Sequence, residues 1–313
     1  FSAQQSFGLN DYSVELAMDY DFNNLSDKYV FADSLIKELI LTFSPSVSRE
    51  IGGGYLNLGF ELKSMDTRDS ADIRYAVFPQ IHYDYIFSKK NQSVYAGVRS
   101  GLDENSYWTL SKKNPFILNA LTTDGTGLKL INSQIKYDVY IGMNSYLGAN
   151  INWSSELSYA RVQDMSFFDL DDYSTYQNKF KVVYHDVNHL LWSSELDLEM
   201  ISNANLNLQL DYHKYDLDSL QDYAYKPSIV SKLGFSYNFG DKILPQIELV
   251  GVFDRSTAAD SFSTAPLLND IIDVNFTLEY KYNSIFSAYF NFCISWLSLC
   301  RDWYRARWFL GML

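Results

Sequence analysis

The sequence predicts an all-β protein, an antiparallel up-and-down transmembrane β-barrel meander of roughly fourteen strands, either whole or a fragment. Three observations carry this. Apolar and polar residues alternate with a period of two along most of the chain, which gives strands one greasy and one wet face. Aromatic residues reach 17% and charged residues 20% of the 313 positions, yet no run of about 18 uncharged apolar residues exists to form a spanning helix. Short turns and long polar loops follow one another in strict alternation, which puts them on opposite rims of a meander.

Taken in order, Tyr12, Val14, Leu16, Met18 and Tyr20 alternate with Ser13, Glu15, Ala17 and Asp19. The preceding FSAQQSFGLN reads as the remnant of a processed secretory signal or as the inside of a longer chain. Residues 35 to 44 fit a helix as well as a strand by spacing, and context makes them a strand. Leu56, Leu58, Phe60 and Leu62 form the next apolar row, followed by Tyr75 to Phe87, where Pro79 requires an edge, a bulge or a missing ladder bond. SVYAGVRSG follows the SKKNQ turn, and residues 101 to 131, with NPF and TDGTG, read as a long loop.

Alternation resumes at Ile135 to Met143 and again at Leu147 to Tyr159. Residues 179 to 201 read as one extended strand, and Leu206 to Tyr212, Leu233 to Tyr237 and Ile247 to Phe253 continue the series. IIDVNFTLEYK and SIFSAYFNF form a tight hairpin. Only residues 293 to 313 remain to close an even barrel. That stretch breaks the alternation and clusters Arg301, Arg305 and Arg307, so the barrel is assigned to 1–292 and an aberrant tail to 293–313.

The formal net charge of -13 argues against nucleic acid as a partner, which would require a basic stripe against phosphates. Cys293 and Cys300, both in the tail, do not make a disulfide scaffold. No nucleophile elbow or phosphate cradle appears, so no catalytic or cofactor residue and no enzymatic activity is assigned. His185 and His189 share a strand face roughly 13 Å apart, too far to hold one metal ion. Asp169, Asp171 and Asp172 lack the glycine and terminal glutamate of a calcium loop and read as solvated. The candidate functional residues are the polar rows Lys136, Asp138, Glu195, Asp197, Glu199, Asp211, Glu279 and Lys281, which line the lumen if the barrel forms. Tyr12, Tyr20, Tyr75, Tyr85, Phe87, Tyr159, Tyr212, Tyr237, Tyr280 and Tyr282 fit interfacial girdles against outer-membrane lipid, although a soluble sheet could bury them.

YWTLSKKNPFI with TGLKLINSQIKYDVYIG, LDYHKYDLDSLQDYAYKPS, SYNFGDKILPQIELVGVFDR and DVNFTLEYKYNSIFSAYFNF, taken in this order and spacing, resemble the C-terminal barrel part of Bacteroidota-type TonB-dependent receptors. The resemblance covers most of residues 107 to 292. It implies residence in the outer membrane of a Gram-negative bacterium, insertion by the barrel-assembly machinery, and uptake or permeation of nutrients, with the TonB system engaged through parts upstream of this sequence. A non-transporting scaffold or anchor barrel is the alternative, and a soluble all-β binding domain the second. Family members follow the SAYFNF strand with an asparagine-rich segment and a final aromatic residue, and 293–313 departs from that pattern, by divergence or by a change of reading frame.

Overall fold

A computed structural model of the protein describes residues 2–9, 12–24, 37–66, 73–87, 91–117, 130–148, 150–170, 180–201, 203–217, 225–256, 267–282, 286–297 and 309–312. The strands are β1 (Ser2–Leu9), β2 (Tyr12–Asn24), β3 (Lys37–Ile51), β4 (Gly54–Asp66), β5 (Ile73–Phe87), β6 (Gln92–Asp103), β7 (Ser133–Tyr146), β8 (Ile151–Leu170) and β9 (Phe180–Ile201). They continue as β10 (Ala204–Leu217), β11 (Ile229–Tyr237), β12 (Ile243–Phe253), β13 (Arg255–Ser256), β14 (Leu267–Leu268), β15 (Ile271–Lys281), β16 (Ser287–Leu297) and β17 (Phe309–Met312), with one helix, α1 (Tyr107–Lys113).

Fifteen strands form one antiparallel sheet in chain order, and β13 pairs with β14 beside it. Among the described residues no pairing joins β1 to β17, so the meander is unclosed. The expected count of roughly fourteen strands meets fifteen. The segment at 35 to 44, ambiguous by spacing, falls largely in β3, and 180 to 201 is a single strand. β1 occupies residues read as a leader remnant, and β16 runs past 292 to Leu297, with β17 paired to it.

Register preserves side-chain parity from strand to strand, which is what turns local alternation into two continuous faces. Val14 lies opposite Val47, Val47 opposite Leu58, Leu58 opposite Ile81, Ile81 opposite Val98, and Val98 opposite Val139. Farther along, Leu208 faces Leu233, Leu233 faces Leu249, Leu249 faces Val274 and Val274 faces Ile294. Much of this face is open: Leu58, Val77, Ile81, Val139, Ile141, Leu208, Ile247 and Leu249 are all exposed. Water would not tolerate an apolar belt of that extent on a soluble monomer. Lipid does, and most backbone groups of the inner strands are paired within the sheet.

The belt has an edge. On β10, Leu206, Leu208, Leu210 and Tyr212 occupy the outward parity, and then Lys214 and Asp216 follow on the same parity. On β8 and β9 the outward row passes from Tyr159 opposite Leu190 to Arg161 opposite Asn188, where Arg161 hydrogen-bonds Asn188 and lies 3.6 Å from Asp186. About 9 to 11 tilted residues cross a bilayer, whereas β8 has 20 and β9 has 22. Their surplus projects beyond the belt on the long-loop rim.

Besides Ile40 on β3 and Phe78 on β5, deeply buried side chains gather on that surplus. Leu110 of α1, Ile117, Phe167 and Val187 are enclosed where the β6–β7 connection folds onto β8 and β9. The helix, in residues read as loop, begins at Ser106, whose Oγ accepts from the Thr109 amide, and ends at Asn114. Asn105 fastens it: the side chain donates to Ile131 O and Ser133 Oγ and accepts from Ser166 Oγ. Pro79 meets the third of its expected remedies, since the β5–β6 pairing stops at Gln80 opposite Arg99 and leaves Pro79 without a ladder partner on β6, where the Ser100 hydroxyl donates to Pro79 O.

Candidate functional site

The polar face carries an ion cluster over β5 to β8. Parity brings His82, Tyr95, Arg99, Asp138, Tyr140 and Glu156 to one side, and register then sets them side by side. Arg99 Nε donates to Asp138 Oδ2 at 2.7 Å and its Nη2 to Glu156 Oε1 at 2.9 Å, while Tyr95 Oη donates to Glu156 Oε2 at 3.1 Å. Tyr140 Oη lies 2.8 Å from His82 Nδ1, and the Arg99 guanidinium sits 4.5 Å from the Tyr140 ring centroid. Two glycines make room for these rings. A β-carbon at Gly97 would overlap Tyr140, and one at Gly142 would overlap Tyr95.

Over β9 to β16 the same face is lined by amides and carboxylates. Asn207 Nδ2 donates to both Glu195 and Asp197, Asp211 accepts from Ser193 and Gln209, Asn275 donates to Glu248, and Tyr289 donates to Glu279. Two recesses open between these strands. One of about 410 Å³ lies among Asn205, Asn207, Gln246, Glu248, Asn275 and Thr277, and one of about 380 Å³ among Asn150, Asn152, Asp197 and Glu199.

Of the polar rows expected from sequence, Asp138, Glu195, Asp197, Asp211 and Glu279 stand in these networks. Glu199 borders the second recess, and Lys281 pairs in register with Ser287 at the short-turn rim. Lys136 stands apart, exposed at the register shift between Ile135 and Tyr137, with its amine on Gln134 Oε1. Arg99, Glu156, His82, Tyr95 and Tyr140 are not among those rows, although each shares parity with Asp138 across the ladder.

A second cluster lies where β8 to β10 rise beyond the belt. A register shift between Val162 and Met165, with Asp164 at φ 55°, changes the parity of β8 and sets Phe167 opposite Val183. Phe167 is buried against His185, with ring centroids 5.8 Å apart. His185 and His189 do not meet over a metal. His189 Nε2 instead lies 3.1 Å from His213 Nδ1 on the next strand, and the His189 ring stacks on Tyr215 at 4.6 Å. Lys226, from the β10–β11 connection, places its amine 4.3 Å from the Phe167 centroid and 5.4 Å from that of Tyr215. Burial pushes the Lys226 ammonium down to about 7, Lys113 pushes the same way, and Asp103 opposes. Burial, then Asp169, raises the Tyr225 hydroxyl above its ordinary range.

Among the described residues no group of three or more His, Cys, Asp or Glu is arranged to hold a metal ion. Asp169 pairs with Lys181 at 3.2 Å, and Asp171 and Asp172 lie outside the described residues. Cys293 is free and exposed, and Cys300 lies outside the described residues.

No family model and no curated protein matches this sequence. Solved structures do. The chain is similar to the copper transporter OprC, with a TM-score of 0.61 at 12% identity over 93% of this chain and 49% of that one. A mutant of the ferric enterobactin receptor PfeA from Pseudomonas aeruginosa gives 0.62 at 11% over 93% and 47%, and the FrpB iron transporter of Neisseria meningitidis 0.60 at 10% over 93% and 49%. The chain therefore shares the fold of these transporter and receptor chains, the fold that the resemblance to TonB-dependent receptors implies. The chain spans about half the length of the receptors it matches.

Proposed function

We propose that this chain is part of an outer-membrane barrel of a Gram-negative bacterium that takes up a nutrient through a polar lumen. The observation that carries the reading is the division of the sheet into an apolar belt, exposed from β3 to β16, and an opposite face bonded through Arg99, Asp138, Glu156, Asn207, Asp197 and Asp211. One face suits lipid, and the other keeps charges hydrated along a pathway for polar solutes. Lys136, Asp138, Glu195, Asp197, Glu199, Asp211, Glu279 and Lys281 are assigned to that lumen, and Arg99 and Glu156 are assigned with them because Arg99 bonds both Asp138 and Glu156. Energised uptake draws on the TonB system, and insertion on the barrel-assembly machinery. No step of the proposed role requires bond chemistry.

The test is growth and uptake in the source bacterium. Deleting the gene is expected to reduce accumulation of at least one nutrient supplied at limiting concentration, and the intact gene is expected to restore it. Charge reversal of Arg99 and Asp138 together is expected to restore more uptake than either reversal alone. Unchanged accumulation of every nutrient supplied argues against the role and leaves a scaffold barrel.

A further inference from the structure

We propose that His189 and His213 form an acid-sensitive latch, which holds the β10–β11 connection against β8 to β10 at neutral pH and releases it as pH falls. That this connection borders a lumen rests on the barrel reading above; the latch itself rests on contacts. His189 Nε2 and His213 Nδ1 lie 3.1 Å apart, with ring planes within 8° and centroids 5.3 Å apart. At that spacing the two nitrogens aim at each other, one donating its N–H and the other accepting. The gap admits one proton. A proton on each facing nitrogen sets two N–H groups against one another and breaks the bond.

The connection leans on this pair at two points. His189 stands opposite Tyr215 in the β9–β10 ladder, and the Tyr215 ring stacks face over face on it at 4.6 Å. The Lys226 amine rests 5.4 Å from the Tyr215 centroid and 4.3 Å from that of Phe167. Two residues on, Ser228 O accepts from the His213 amide. A charge on either imidazole therefore arises beside a lysine and loosens both attachments together.

Among the described residues, the charged and titratable groups packed around the pair are Lys226 and Tyr225 of the connection, Asp211 on β10, His185 and Asp186 on β9, Asp169 on β8, Asp103 on β6 and Lys113 on α1. The acids are themselves engaged: Asp169 with Lys181, Asp103 with Lys113, Asp186 with Arg161, and Asp211 with Ser193 and Gln209. Both histidines lie past Tyr212, the last apolar residue of the outward row on β10. Burial, then His213, then Lys226 lowers His189 to about 4; burial lowers His213, with Asp211 opposing and Lys226 adding. Once released, His189 returns to its ordinary 6.5. The open form then binds more protons, so closure is strongest above about 6.5 and is lost as pH falls toward about 4.

Hydrogen exchange of the protein in detergent micelles tests this through the Tyr225 amide, which donates to Ser256 O. Corrected for the intrinsic rate, its protection is expected to fall about tenfold or more between about pH 7 and about pH 5, while amides of residues 206 to 210 hold theirs. His189→Gln is expected to abolish the fall. Lys226→Met is expected to keep it, because Lys226 titrates from about 7 upward, above this window. Equal protection at both pH values, or a fall that persists in His189→Gln, overturns the proposal. Should His189→Gln already be open at about pH 7, the His189 Cε1–H resonance of the wild type decides. A titration midpoint shared with the exchange step upholds the latch, and a separate one overturns it. Exchange requires no uptake, so failure of the latch leaves the uptake reading standing, and failed uptake leaves the latch standing.

Discussion

Arg99 shows how much a single side chain organises on the polar face. Its partner Asp138 is buried, with a second carboxylate oxygen that has no hydrogen-bond partner among the described residues, so removing the guanidinium leaves a charge with little to hold it. Arg99→Ala is expected to cost about 2 kcal/mol in urea unfolding from detergent, discounted because the arginine is half exposed. Lys63→Ala, which removes a loose 3.6 Å pair with Glu61, is expected to stay within about 0.5 kcal/mol. Gly97→Ala drives a β-carbon into the backbone oxygen of Ile81 and into Tyr140, and is expected to cost about 1 to 3 kcal/mol in the same assay, of which Tyr140→Ala in a double variant relieves only the side-chain part. Lys226 titrates near 7 in the fold against an ordinary value of 10.5. The unfolded chain therefore binds the extra proton between those values, and stability from this group rises with pH across that window. Lys226→Met is expected to flatten that rise in unfolding measured at successive pH values. Asp138 was legible because it stands in an alternating row. Arg99 and Glu156 were not, because their bond joins positions 57 residues apart and only register shows which charges of one parity become neighbours.

At the scale of elements, the meander was legible because each strand carries its own alternation, which needs no distant information. α1 was not, since seven residues show too little periodicity and only Leu110 is buried; Ser106 at the cap and the Asn114-Pro115 break were the available signals. The extension of β16 beyond 292 follows from parity that continues past Cys293, since Ile294 pairs with Val274 and the backbone of Trp296 with Ile272. The helix-bearing connection is held by Asn105, which is fully enclosed with its side-chain amide and carbonyl both bonded. Asn105→Ala leaves Ser133 and Ser166 each short of a bond and is expected to lower the local opening free energy by about 2 to 4 kcal/mol. Hydrogen exchange checks it: the amides of Leu110 and Asn114, which donate within the helix, should exchange faster while those of β10 do not.

For the whole molecule, the claim is that bilayer lipid is the solvent of one face and water that of the other. The belt and the networks are two readings of one register, so a substitution's effect depends on parity before chemistry. Leu208→Arg, on the belt, is expected to destabilise the protein in lipid vesicles by about 2 to 4 kcal/mol, whereas Gln209→Arg, on the polar face among Glu195 and Asp211, should cost little. The most direct measurement places a spin label at each of residues 206 to 212 of β10 in turn, in a Cys293→Ser, Cys300→Ser background in bilayers, and compares collision with lipid-soluble oxygen against a water-soluble nickel reagent. Leu206, Leu208, Leu210 and Tyr212 should favour oxygen, and Asn207, Gln209 and Asp211 the nickel reagent. A flat profile along these seven positions, or the opposite alternation, contradicts the account.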